Sequence, residues 1–293
     1  MRIYIKTKMS NINMNIFITI FIFIAILLLY LHFMNEFKYV KQLSIYDVEY
    51  TTRNQLQKIC ELKQPFVSSL TLQSNEKINK EHNMCIFDKN DNEFVNITYH
   101  SLEELLEKNK EGVYYSMKNY DFANEELNEE FTELNKCINP YFSYNTIYDV
   151  LMGSNNVHTP LLYLRESGLF LFLKKGKVNI KLSRYDKDIE NSNICLWDDS
   201  QNYNISDISL LENQILFIPS WCFYTLQFEE NSIIYSVCHQ TPTNLIVNTP
   251  YYILEFLQSQ NVEEKVLKTI EIPEDIKEDE PVKEPDNIEN SDQ

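Results

Sequence analysis

The residues able to hold a metal or pass protons are sparse in this chain: five histidines, at 32, 82, 100, 158 and 239, and six cysteines, at 60, 85, 137, 195, 222 and 238. No two cysteines form a Cys-x-x-Cys pair and no histidine stands at zinc-ligand spacing from them, so no structural zinc site is expected. The serines, histidines and aspartates do not fall into a nucleophile-and-base grouping, and four glycines leave almost no material for a phosphate-cradling loop. Glu103-Glu104 and Glu125-Glu126 are paired carboxylates only in sequence; neighbours on a helix point in different directions and read as solvated faces. His158, His239 and Tyr224 are the set from which a metal site would have to be assembled. Their plain reading is two strand-end or loop histidines and a strand tyrosine. Cys222 and Cys238 face each other if the two strands around Glu230 form a simple hairpin, and a disulfide there would suit an oxidising compartment. A jelly-roll connection would place them in opposite sheets instead.

Whatever chemistry exists must be positioned by strands. Leu169 to Leu173 is a run of five apolar residues, Gly176 offers a turn, and Val178, Ile180 and Leu182 alternate with Asn179 and Lys181. This predicts two joined strands, the first buried on both faces and the second on one. Thr146 to Met152 predicts the strand leading in, with a turn at Gly153 to Asn156, and Glu212 to Pro219, Trp221 to Phe228 and Ser232 to His239 predict further strands. Upstream, Thr51 and Thr52 open a short helix through Leu56, Ile59 and Leu62 that Pro65 ends, followed by a strand from Pro65 to Leu72. Met84 to Phe87 and Phe94 to Tyr99 read as a hairpin. Ser101-x-x-Glu104 reads as a capping box opening a helix that ends near Gly112. Val113 to Met117 is a strand, Glu125 to Leu134 a short acidic helix, and Ser183 to Asn204 a polar excursion holding Trp197. Thr249 to Gln260 predicts a closing helix with Tyr252, Leu254, Phe256 and Leu257 packed on the barrel. The fold class is mainly β, with the centre of a barrel or sandwich and flanking helices.

Two blocks carry a resemblance. Thr159-Pro160-Leu161-Leu162-Tyr163-Leu164 with the strands after it, and Leu216-Phe217-Ile218-Pro219-Ser220-Trp221-Cys222-Phe223-Tyr224, resemble the core of the JmjC and cupin-like 2-oxoglutarate oxygenases, over roughly Tyr39 to Leu257. The resemblance implies a double-stranded β-helix and, in the family, iron held by His-x-Asp and a distant His. Here Leu162 stands at the first His, Leu164 at the Asp, and Tyr224, or Phe223 with a one-residue slip, at the distal His. Leucine has no lone pair to give, so two of three ligands are lost. His158 cannot stand in, because strand residues four apart share a face but lie about 13 Å from each other. Lys177 falls at the spacing of the family lysine that pairs with the 2-oxoglutarate carboxylate. A lysine after a glycine turn is otherwise a solvated strand end.

Ile16 to Met34 is almost wholly apolar, and its nineteen residues span about 28 Å as a helix, close to a hydrocarbon core of about 30 Å. The run is longer than a signal-peptide core and no small-residue cleavage site follows, so an uncleaved anchor is expected. Arg2, Lys6 and Lys8 precede it without an acid, which favours a cytoplasmic N-terminus. The sequons at Asn96 and Asn204 add little in an Asn-rich chain. The net charge of -17 argues against nucleic-acid binding. From Glu271 to Gln293 ten acids stand against two lysines, a segment expected to stay disordered as a solubilising or docking tail.

An anchor, a cupin-like domain with Thr-Pro-Leu-x-Tyr but no triad, and a closing helix ending in Phe256-Leu257-Gln258-Ser259-Gln260-Asn261 together resemble membrane-anchored cupin-like proteins of giant DNA viruses. The expected organisation is a cytoplasmic N-terminus over 1–15, a membrane span over 16–34, a cupin-like domain over 36–262 and an acidic tail over 263–293. The expected function is a catalytically inactive structural or interaction module with a protein partner, without cofactor. Two alternatives stand beside it: an oxygenase using Fe(II) and 2-oxoglutarate through another ligand set and Lys177, and a ligand-binding cupin without catalysis.

Overall fold

The computed structural model describes residues 2–36, 42–50, 52–72, 81–88, 93–108, 113–184 and 205–260. The sequon at Asn204, Trp197 and the acidic tail lie outside the described residues.

Eight strands form the centre: β6 (Asn145–Gly153), β7 (Leu162–Leu164), β8 (Gly168–Lys175), β9 (Lys177–Arg184), β10 (Ile205–Leu211), β11 (Gln214–Pro219), β12 (Cys222–Phe228) and β13 (Ser232–Gln240). They are preceded by β1 (Tyr46–Asp47), β2 (Phe66–Ser69), β3 (Asn83–Asp88), β4 (Glu93–Thr98) and β5 (Tyr114–Ser116). One sheet runs β1-β2-β11-β8-β13-β6-β5-β3-β4 and the other β10-β9-β12-β7. The chain crosses between the two sheets at almost every connection, so β6, β13, β8 and β11 face β7, β12, β9 and β10. That order is a cupin-like double-stranded β-helix, and the fold is mainly β with flanking helices.

Alternation along the strands sorts the apolar residues into two layers. Leu169, Leu171 and Leu173 point between the sheets with Val178, Ile180, Leu182, Leu216, Ile218, Leu226 and Ile234. Phe170 and Phe172 point the other way, into a layer with Phe217, Tyr235 and Val237 under the helices. β8 is therefore covered on both faces while β9 is covered on one, as its alternation predicts. Gly176 makes the turn between them with φ +89, a conformation side chains resist.

The helices are α1 (Arg2–Glu36), α2 (Arg53–Cys60), α3 (Tyr99–Lys108), α4 (Tyr120–Glu125), α5 (Asn128–Ile138) and α6 (Pro242–Gln260). α2 is capped by Thr52, whose side chain accepts from the Gln55 N–H. α3 starts before the expected capping box, because the Ser101 N–H is taken by Thr98 Oγ1 at 3.3 Å. The acidic helix is two helices, α4 and α5. α6 begins seven residues before the expected start, with Pro242 in its first turn and Thr241 Oγ1 accepting from the Asn244 N–H at 3.1 Å. Leu254, Phe256 and Leu257 are exposed and not packed on the barrel; only Tyr252 turns inward, its hydroxyl accepting from Gln240 Nε2 at 3.1 Å.

Within α1, Asn15–Glu36 has a mean hydropathy of 2.8 and is long and apolar enough to cross a membrane, a test that a signal sequence also passes. Its described side chains are largely exposed until Glu36, which is buried against the barrel.

Candidate functional site

The barrel mouth is built by β7, β12 and β9. Register places Leu162 opposite Tyr224 and Tyr224 opposite Leu182; one step on, Leu164 lies opposite Cys222 and Cys222 opposite Arg184. Leu164, Cys222 and Leu182 are buried in the layer between the sheets, with Tyr224 packed on it. Phe223 belongs to the other face, where its ring meets Tyr163 at a centroid distance of 4.7 Å. The two leucines and Tyr224 thus share the inward side of the strands, and the one-residue slip to Phe223 turns the ring outward.

Iron does not fit this set. Two of the three positions are hydrocarbon, and burial pushes the phenol of Tyr224 far above its usual range, keeping the proton on a group that would have to lose it. Among the described residues no three His, Cys, Asp or Glu side chains are grouped to hold a metal ion.

The other sequence candidates are dispersed. His158 is exposed and bridges to Gln227 at a strand edge. His239 lies on the helix-covered face of β13, its Nε2 2.9 Å from Asn135 Oδ1. The set His158, His239 and Tyr224 is not brought together. His82 lies 3.8 Å from Glu125 and 3.7 Å from Glu126, and His100 lies 3.2 Å from Glu104. Lys177 begins β9 on the face opposite Val178 and Ile180 and pairs with Glu229, whose carboxyl is held below its usual range first by that contact. Cys222 and Cys238 sit in different sheets and are free thiols. Burial raises Cys222 to about 12 and Cys238 well above the ordinary thiol, so neither is a nucleophile near neutral pH.

One inward-facing carboxylate went unremarked in the sequence. Asp149, in β6, accepts from the backbone N–H of Lys118 at 3.0 Å and of Asn119 at 2.7 Å. Burial still raises it to about 7, against the pull of those donors. Tyr120, beside it, is raised to about 12 by burial and then by the Asp149 charge. Asn119 completes the lock, its amide donating to Val150 O at 2.7 Å and to Ser116 Oγ at 2.8 Å, and accepting from the Cys85 N–H at 2.8 Å. A single acid within the otherwise apolar half of a strand, Val150 to Met152 following it, was the available signal.

Strand order defines a cupin-like double-stranded β-helix, and the three positions that the resemblance would give a metal hold Leu162, Leu164 and Tyr224. No protein-family model matches the chain. No curated protein matches it. Among solved structures the chain is similar to YcfD, a ribosomal oxygenase from Escherichia coli in complex with cobalt and succinic acid, at 16% identity and a TM-score of 0.39. The match covers 72% of this chain and 58% of that one, so the chain spans less than two thirds of that protein.

Proposed function

We propose that this chain is a single-pass membrane protein whose cupin-like domain has abandoned metal chemistry and acts as a structural or interaction module for a protein partner, in a virion or host membrane. The observation that carries the reading is the pair Leu162 and Leu164 facing inward opposite Tyr224 and Cys222. No backbone adjustment gives leucine a lone pair, and the packed apolar layer there favours a scaffold over an open reaction chamber. The pairing of Lys177 with Glu229 supports the same view, because a committed lysine is a poor partner for a dicarboxylate. The apolar stretch of α1 supports the anchor over 16–34. In this reading 1–15 is cytoplasmic, 36–262 the domain and 263–293 the tail. The net charge of -17 supports a partner other than nucleic acid.

Thermal unfolding of the full chain in detergent, with Fe(II) under argon and 2-oxoglutarate, tests the proposal. No rise in Tm is expected. A rise of several degrees that Lys177→Ala abolishes would make the chain an oxygenase with another ligand set. A rise with 2-oxoglutarate alone would favour a ligand-binding cupin, the reading that the polar group of buried Asp149, half-buried Tyr224 and exposed Tyr120 supports.

A further inference from the structure

A cavity lies outside the barrel, on the helix-covered face of the large sheet. It has a volume of about 480 Å³ and is enclosed by the end of α1, helix α2, residues 140–142 and strands β8, β11 and β13. Its apolar wall is made by Ile138, Tyr141, Phe142, Phe170 and Phe217. Two polar side chains of the lining are almost wholly buried, Glu36 at 3% exposure and His239 at 1%, the latter edge-on to Phe170 with ring centroids 5.8 Å apart.

Each of these side chains has one atom satisfied and one not. Glu36 Oε1 accepts from the hydroxyls of Thr241 at 2.8 Å and Thr243 at 3.1 Å, while Oε2 is buried without a partner. His239 Nε2 donates to Asn135 Oδ1 at 2.9 Å, while Nδ1 is buried without a partner. The proton on Nε2 makes Nδ1 a lone pair. Desolvation holds the imidazole down to about 3, so the ring is neutral near pH 7. Both unmet atoms are acceptors, and a buried acceptor left without a donor is unfavourable. One cavity lined by both unmet acceptors and by aromatic rings suits a molecule that carries hydrogen-bond donors and an apolar body.

We propose that this cavity binds a small amphipathic molecule carrying a protonated primary amine. An ammonium has three donors and no acceptor, which suits a carboxylate oxygen and an imidazole lone pair together. Its charge complements Glu36, and the ring faces of the wall favour a cation and cover the apolar body. Glu61 and Lys63 also line the cavity with opposite charges, and Arg53, over the Tyr141 ring at 5.4 Å, lowers His239 by its charge, so the buried Glu36 carboxylate itself, and not a net negative charge of the lining, is what an ammonium meets. The cavity exists because the end of α1 is seated on the barrel: Trp221 Nε1 donates to Glu36 O at 3.0 Å, beside the Thr241 and Thr243 contacts. The site depends on that seating and not on whether α1 crosses lipid or the barrel is inert.

The test is calorimetric titration of the full chain in detergent with 2-phenylethylamine and, separately, with 2-phenylethanol, which has the same body and a neutral head. Saturable binding of the amine is expected, at least about tenfold tighter than the alcohol and weakened at least about tenfold by Glu36→Gln. Phe142→Trp, at an exposed rim position, fills the cavity mouth and is expected to weaken the amine without lowering Tm. Absence of saturable binding, equal affinity for amine and alcohol, or unchanged affinity in Glu36→Gln overturns the assignment. If Glu36→Gln fails to fold, undiminished binding to Phe142→Trp overturns it in the same way.

Discussion

Replacing Asp149 by Asn is expected to reverse its effect on stability with pH. Burial raises this carboxyl from 3.8 to about 7 although two backbone N–H groups pull it down. The native state therefore binds more protons than the unfolded chain between those values, and stability falls as pH rises from about 4 to about 7. At about 1.4 kcal/mol per pH unit, the shift corresponds to about 4 kcal/mol lost across the window. Asn removes the titration but offers one carbonyl oxygen where the carboxyl offers two, leaving one N–H of Lys118 or Asn119 against an amide NH₂ at a cost of about 1–3 kcal/mol. Above pH 7 the Asp149→Asn chain is then more stable than the natural one by about 1–3 kcal/mol, and near pH 4.5 it is less stable by a similar amount. Urea unfolding of the full chain in detergent, followed by far-UV circular dichroism at several pH values, measures the difference. His239 is held down to about 3, so it loses stability as pH falls below its ordinary 6.5, but it is common to both chains and cancels. A difference that stays constant from pH 5 to 8 would refute a burial-raised carboxyl at this position.

Installing the missing ligands by Leu162→His, Leu164→Asp and Tyr224→His should give a chain that retains about one divalent metal after dialysis, measured by elemental analysis, where the natural chain retains none. Gly153→Ala puts a Cβ into the Phe228 ring and should cost about 1–3 kcal/mol in chemical unfolding, with a smaller penalty when Phe228 is already Leu. Thr241→Val removes both the hydrogen bond to Glu36 and the cap on the Asn244 N–H, and should lower stability by about 2–4 kcal/mol in the same assay.

How legible each part was depends on how far its cause reaches along the chain. β8 and β9 were readable because five apolar residues in a row and strict alternation state which faces are covered. The Cys222 and Cys238 separation followed from jelly-roll topology once the strands were placed. α4 was not readable: six residues show no periodicity, and its N-terminus is set by Asn119 holding Cys85, Ser116 and Val150. The start of α6 was obscured because Pro250 and Pro242 read as stops, although Pro242 sits where its absent N–H costs nothing. The Glu36 contact with Thr241 and Thr243 joins residues more than 200 apart, which no local pattern encodes.

β7 has only three residues, so its ladder alone is a weak tie and side-chain contacts must help to hold it. Here Leu162 and Leu164 oppose Tyr224 and Cys222 on the inner side, and the Tyr163 ring packs tilted against Phe223 on the outer side. Just before β7, Thr159 accepts from the Leu226 N–H at 3.0 Å through its hydroxyl, and its carbonyl accepts from Thr225 Oγ1 at 2.8 Å. Packing on both faces and a buried threonine clasp together hold the short strand. A single ligand placed at Leu162 or Leu164 would bury a polar group without its partners, so building a metal site here requires all three changes at once. The leucines are thus part of what keeps the strands together, and any ligand put in their place must supply that tie as well.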